Sequence, residues 1–204
     1  MFSTTRRILL AAALALAALP AAAQPALPRV ALTTPEGVIV IELETGKAPI
    51  TANNFLKYVD QKRFDGATFY RASTPPGATV KDYGLLQGGL QNDPKKVLPP
   101  IAHESTTKTG LKNLDTTITM GRHAPGSAQA DWFICVGDQA YLDADPKDPK
   151  NPGFAAFGHV VEGMDVVKAL LAKPVDPNRG EGPMKGEMLV KPVKILTARR
   201  VSAP

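Results

Sequence analysis

Side chains able to carry covalent or redox chemistry are few in this chain. It has one cysteine, Cys135, and three widely separated histidines, His103, His123 and His159. Cys135 lies inside the apolar run Trp132-Phe133-Ile134-Cys135-Val136, where a thiol is ordinary packing and no nucleophile. Only His103 has a carboxylate beside it, Glu104, and a single cysteine excludes a multi-cysteine zinc site. Gly-x-Ser-x-Gly, a Walker glycine–lysine loop, a dinucleotide glycine fingerprint and His-Glu-x-x-His are all missing. Hydrolytic and redox reactions therefore lack a carrier, and neither cofactor nor metal is expected. What remains is a guanidinium, Arg71, in the strand-like Phe69-Tyr70-Arg71, close to Leu85-Leu86-Gln87-Gly88-Gly89. Aromatics at Trp132-Phe133 and in Phe154-Ala155-Ala156-Phe157-Gly158 complete the set. Taken singly, each has a plain reading: Arg71 as a surface ion-pair residue, Phe133 as core, Gly88-Gly89 as a turn or bulge.

The elements that must position these residues are short strands, two helices and long loops. Val38 to Leu43 is rich in β-branched residues and follows the turn signal Pro35-Glu36-Gly37, so it predicts a strand. Residues 48–61 predict a helix, because Ala52, Phe55, Leu56 and Val59 recur at helical spacing and Pro49 suits a first turn. Further strands are expected at 68–71, 116–120, 132–136 and 157–161. A second helix runs from Met164 to about Ala172, closed by Lys173-Pro174. One last strand lies within 190–201, with Pro192 placing its start at an edge or bend. Many strands and only two helices predict a mainly β fold, a closed or nearly closed antiparallel barrel capped by helices. The loop 143–153 holds three carboxylates but fits no calcium-loop spacing, so it reads as a solvated loop.

Length and composition agree with one domain. The chain has 204 residues, 44% apolar and 21% charged, which excludes a disordered tail, a collagen-like repeat and a multi-pass membrane protein. The first residues read as a secretory signal: Arg6 and Arg7, a twelve-residue apolar stretch from Ile8 to Leu19, then Ala21-Ala22-Ala23. Residues 1–23 are thus expected to be removed near Ala23, leaving 24–204 as a single domain in the periplasm or secreted, with no membrane association. Two of the 24 bases lie in that segment, leaving 22 against 19 acids. They are scattered, whereas a nucleic-acid partner requires a concentrated patch, so none is expected. Nothing in the composition points to an oligomer, and a monomer is expected.

Order and spacing bring the scattered pieces together. From about Val30 to Val201 the chain resembles a cyclophilin-type peptidyl-prolyl cis-trans isomerase of a bacterial exported branch. The likeness rests on Gly37 to Leu43, on Lys47-Ala48-Pro49-Ile50-Thr51-Ala52-Asn53-Asn54-Phe55, and on Phe64-Asp65-Gly66-Ala67-Thr68-Phe69-Tyr70-Arg71. It continues through Gln87-Gly88-Gly89, Phe133-Ile134 and Phe157-Gly158-His159-Val160-Val161-Glu162-Gly163-Met164-Asp165-Val166-Val167. The resemblance implies a closed eight-stranded antiparallel barrel capped by two α-helices. It also implies acceleration of X–Pro isomerisation during folding of exported proteins, with proline-containing peptides and unfolded exported proteins as partners.

By the same resemblance, Arg71 takes the catalytic role, and Gln87 holds substrate backbone or orients Arg71. Phe133, Leu142 and Phe154 line the pocket for the proline ring, and Leu85 stands where the family often has methionine. Gly121 and Arg122 follow Met120 where the family offers backbone contacts to the peptide. Three departures stand out. Tyr70 replaces the usual histidine before the arginine. Asp131 stands where a glutamine commonly contributes to the peptide site, a place from which a carboxylate could pair with Arg71. Arg71 and Gln87 are sixteen positions apart, about twice the family's usual spacing. The alternative reading is a proline-peptide-binding module or chaperone with little isomerase activity. A third is a scaffold using the loops 72–83 and 143–153.

Overall fold

The computed structural model describes residues 26–75 and 83–202; the expected signal segment and most of the 72–83 loop lie outside them. Ten strands form one antiparallel sheet: β1 (Arg29–Thr34), β2 (Gly37–Leu43), β3 (Thr68–Ser73), β4 (Gly84–Gly89), β5 (Thr117–Met120), β6 (Trp132–Val136), β7 (Ala156–Glu162), β8 (Val175–Asp176), β9 (Met188–Lys194) and β10 (Thr197–Val201). Their order is β10-β1-β2-β7-β5-β6-β4-β3-β9-β8. Three helices accompany them: α1 (Pro49–Asp60), the single turn α2 (Thr106–Thr109) and α3 (Met164–Leu171).

The ladder is open, with β10 and β8 as its edges, so the expected closed eight-stranded barrel is corrected to an open sheet of ten strands. The reason lies at Ile195–Leu196, where the single strand expected in 190–201 divides into β9 and β10. Ile195 donates its N–H to Ala67 O (2.8 Å), whereas Leu196 donates to Thr33 O (2.8 Å). The segment before the kink pairs with β3 and the segment after it with β1. The two sides of the ladder therefore meet through a kinked covalent chain, with no closing rung. Pro192 costs little here, because it lies where β9 leaves register with β3, between Phe69↔Val193 and Arg71↔Met188. The count of two helices is likewise corrected to three. The polar turn Thr106–Thr109 is too short to show periodicity and stops at Gly110, whose φ of 72° ends it in the left-handed region.

Apolar alternation decides what lies inside. In β6, Trp132, Ile134 and Val136 join the central core, while Phe133 and Cys135 join a second cluster on the outer face. Trp132 anchors the core through edge contacts with Phe55 (5.8 Å), Phe69 (5.4 Å) and Phe64 (6.2 Å). Phe55 belongs to α1, whose predicted apolar face of Ala52, Phe55, Leu56 and Val59 is buried throughout. The entry turn of α1 has Pro49 in place but no side-chain cap from Ala48. Glu104 supplies one from a distance, accepting from Ile50 N–H (3.1 Å), Thr51 N–H (2.8 Å) and the Thr51 hydroxyl (2.7 Å). A carboxylate there satisfies free helix N–H groups and faces the positive end of the helix dipole.

Candidate active site

Four strands carry a row of side chains across the outer face of the sheet. Arg71 of β3 is opposite Gln87 of β4, Gln87 is opposite Phe133 of β6, and Phe133 is opposite Thr119 of β5. The row depends on an irregularity in β3. The register with β4 runs Phe69↔Gly88 and then Arg71↔Gln87, so Tyr70 is an extra residue. Strict alternation would send Tyr70 and Arg71 to opposite faces. The bulge leaves Phe69 and Ala72 in the core and frees both residues between them to face away from it. Gly88 sits beneath the row because a Cβ there would come within 3.1 Å of Phe69 and 3.2 Å of Trp132.

Hydrogen bonds fix the polar half of the row. Arg71 Nη1 donates to Gln87 Oε1 (2.7 Å), Gln87 Nε2 donates to the Tyr70 hydroxyl (2.7 Å), and that hydroxyl donates to Asp131 Oδ1 (3.2 Å). This chain sets the orientation of the Gln87 amide and, through it, one edge of the guanidinium. Glu187 holds the other edge: Arg71 Nε donates to its Oε2 (2.8 Å), and Nη2 stands 2.6 Å from the same oxygen. A guanidinium has five N–H groups in one plane. With these three contacts made, one N–H on each of Nη1 and Nη2 has no partner among the described residues. Burial, with the Asp131 charge nearby, pushes the Tyr70 phenol well above its usual range, so it stays protonated as the donor.

The apolar half is a cluster separate from the core. Leu85, Phe133, Cys135 and Leu142 pack together, with the half-buried Phe154 against them. The Phe133 and Phe154 rings meet edge to face at 5.7 Å, an arrangement worth about 0.5–1.5 kcal/mol beyond area burial. Leu142 comes from the 3-10 turn Ala140–Leu142, and Phe154 N–H donates to Leu142 O (2.8 Å). Gly153 permits this closure: its φ is +61°, and a Cβ would collide with the backbone of Ala144 and Asp143. Arg122 covers the outside, its guanidinium 4.7 Å above the Phe154 ring and hydrogen-bonded to Gly153 O and His123 O. Burial of Cys135 pushes its thiol up to about 12, which keeps it an inert member of the cluster.

Most of the sequence-predicted residues are thus brought together: Arg71 and Gln87 in the polar half, and Leu85, Phe133, Leu142, Phe154 and Arg122 in the apolar half. Asp131 and Gly121 are engaged behind the row. Asp131 is buried beside Tyr70 and accepts from Gln91 N–H (2.8 Å) and Asn92 N–H (3.1 Å), holding a turn whose two residues both have left-handed φ. The carboxylate paired with Arg71 is Glu187, not Asp131. Gly121 donates its N–H to Asp131 O (2.7 Å), and a Cβ there would lie 3.0 Å from that oxygen. Sequence reasoning missed Glu187 and gave Tyr70 no role. A cavity of about 600 Å³ elsewhere, lined by Glu36, Lys173, Pro174, Pro192 and Leu196 among others, contains none of these side chains. Of the three carboxylates in the 143–153 loop, Asp145 accepts from Lys147 N–H and Asp148 from Lys150 N–H, while Asp143 accepts from the backbone N–H (2.9 Å) and side-chain amide (2.8 Å) of Asn113.

Comparison with known proteins identifies the family. Residues 29–200 match the family model described as cyclophilin type peptidyl-prolyl cis-trans isomerase. A peptidyl-prolyl cis-trans isomerase of Streptomyces antibioticus is 38% identical over 173 residues, covering 83% of this chain and 96% of its own. Peptidyl-prolyl cis-trans isomerase A of Dickeya dadantii is 38% identical over 150 residues, 72% of this chain and 73% of its own. Among solved structures, a Cryptosporidium parvum cyclophilin-type isomerase superposes with a TM-score of 0.68 at 18% identity, covering 87% of this chain and 99% of that one. The same protein was also crystallised in the presence of the dipeptide Ala-Pro, and that structure superposes with a TM-score of 0.66 at 17% identity, covering 86% of this chain and 99% of that one.

Proposed function

The chain belongs to the cyclophilin type peptidyl-prolyl cis-trans isomerase family and is a peptidyl-prolyl isomerase; on that premise we propose that its reaction takes place over the Arg71–Gln87–Phe133 row. The observation that carries the proposal is the register that sets a fixed, partly buried guanidinium beside an outward apolar cluster. Rotation about an X–Pro bond faces a barrier of about 20 kcal/mol because amide resonance stiffens the C–N bond, and it takes tens to hundreds of seconds unaided. With the proline ring against Phe133, Leu142 and Phe154, the Nη N–H groups of Arg71 that have no partner among the described residues lie at the polar side of the same groove. A donor to the prolyl nitrogen stabilises the twisted state, in which the nitrogen regains its lone pair. It does much less for the planar ground state. No bond to the protein forms, and no proton need leave Arg71. The relative crystallised in the presence of Ala-Pro supports a proline-containing peptide as the ligand.

Arg6-Arg7, the apolar stretch that follows and the Ala21-Ala22-Ala23 pattern support export, a mature single domain from about residue 24, and unfolded exported proteins as substrates. N-terminal sequencing of the protein recovered outside the cytoplasm tests this, and a chain starting at Met1 refutes it. Isomerisation is tested by exchange spectroscopy on a short Xaa–Pro peptide with wild type and Arg71→Ala. Acceleration that largely disappears in the variant supports the assignment of the site. Binding without acceleration would support the peptide-binding module instead.

A further inference from the structure

We infer that Glu187 is a positioning residue of the reaction, acting through Arg71. The inference rests on the isomerase reading of Arg71 and extends it to a residue 116 positions away in sequence.

Glu187 is fixed to β3 by three consecutive residues. Its carbonyl accepts from Ala72 N–H (2.9 Å), its Oε1 accepts from the Ser73 hydroxyl (2.7 Å), and its Oε2 takes the Nε edge of Arg71. The carboxylate therefore cannot follow the guanidinium if the arginine swings; it defines where the guanidinium rests. Gln87 alone would not do so, because one contact at Nη1 leaves the group free to turn about it. Two anchored edges define a plane and an azimuth, and they determine which N–H groups remain for a peptide. The segment that delivers Glu187 is itself shaped for the purpose. Gly180, Gly182 and Gly186 all have left-handed φ, and Gly186 N–H donates to Arg179 O (2.8 Å), closing the turn that leads into β9. Placing the negative charge against Arg71 also weakens the field of the guanidinium, so a carboxylate here serves geometry at some cost in electrostatic strength.

The test uses Glu187→Ala and Glu187→Gln in the full protein. Glutamine keeps an oxygen for Arg71 and an amide for Ser73, so it separates the acceptor from the charge. On an Xaa–Pro peptide, Glu187→Ala is expected to lower kcat by about 10–100-fold with KM changed less than about threefold, as a displaced catalytic donor does. Glu187→Gln should stay within about threefold of wild type in both constants. The Arg71 Nε–H nuclear magnetic resonance signal provides a readout independent of turnover. It should exchange slowly with water in wild type and Glu187→Gln and rapidly in Glu187→Ala. The inference is overturned by wild-type kcat in Glu187→Ala or by an equal kcat loss in Glu187→Gln. Unchanged Nε–H exchange, or a lowered unfolding midpoint with kcat intact, overturns it as well. An inactive wild type would instead refute the isomerase reading, and the Nε–H comparison would still decide whether Glu187 holds Arg71.

Discussion

Replacing Arg71 with lysine separates charge from geometry at the centre of the site. Lysine keeps one positive charge but loses the planar fork, offering three N–H groups from one atom where arginine offers five from three. Its Nζ falls where the arginine Cζ stands, one C–N bond, about 1.3 Å, short of the Nη atoms that face the groove. From there the ammonium is drawn to Glu187 and Gln87, which already take three of the arginine contacts. The donor meant for the prolyl nitrogen therefore retreats by more than an ångström. A misplacement of that size costs about 10²-fold in rate, equivalent to about 2.7 kcal/mol of transition-state stabilisation. Arg71→Ala removes the donor altogether, with an expected loss of about 10²–10³-fold in kcat. The assay is cis–trans exchange on one Xaa–Pro peptide, resolved into kcat and KM, with thermal unfolding confirming that both variants fold. Lysine at position 71 retaining more than about a fifth of wild-type kcat, a loss well below the 10²-fold of a displaced donor, would refute the reasoning, because charge without placement would then suffice.

Other predictions concern the surroundings of that group. Glu104→Ala strips the α1 N-terminus of the one side-chain acceptor it has among the described residues and should lower stability by about 1–3 kcal/mol in urea unfolding; a change under about 0.5 kcal/mol would show that water replaces it without penalty. Phe133→Leu keeps apolar volume but loses the edge contact with Phe154. It should raise KM for Xaa–Pro peptides about 3–10-fold at a stability cost below about 1.5 kcal/mol, and an unchanged KM would remove Phe133 from the pocket. Asp131→Asn should change the pH dependence of stability. Burial raises the Asp131 carboxyl above its ordinary 3.8 despite the N–H groups it accepts from. A carboxyl whose folded value is raised favours the native state while protonated, and that contribution is lost as pH rises from 3.8 through the raised value. The stability of wild type relative to the asparagine variant should therefore fall across that window, and a flat difference would contradict the burial argument.

The parts of the fold visible in the sequence are those where one local signal dominates. The α1 face is readable because four apolar residues share one side, and β6 because five apolar residues run without a break. β4 is harder: Gly84, Gly88 and Gly89 weaken any strand signal, and its six residues are extended because β3 and β6 supply a ladder on either side. β8 has two residues and exists only through its pairing with Leu189 and Met188. The open sheet was hidden for a similar reason. Nothing in Val193-Lys194-Ile195-Leu196-Thr197 announces a change of partner; it becomes visible only when Ala67 and Thr33 are seen to draw adjacent N–H groups in different directions.

The site divides along the same line between local and distant information. Arg71 and Gln87 stand sixteen positions apart, yet the spacing does not disturb their pairing, because antiparallel register fixes them opposite each other whatever the length of the connection between Ser73 and Gly84. Extra residues in that connection leave the row in place. Tyr70 and Asp131 are partners beside the row. The tyrosine at position 70 reaches the carboxylate at 131, and Gln87 is held by the result. Glu187 was not legible at all. It follows a glycine-rich turn in a surface-like stretch, and its importance arises from a backbone bond to Ala72 and a side-chain bond to Ser73, neither of which leaves a mark on sequence spacing. Arg71 can be read from its own strand. The group that holds it still must be read from the sheet.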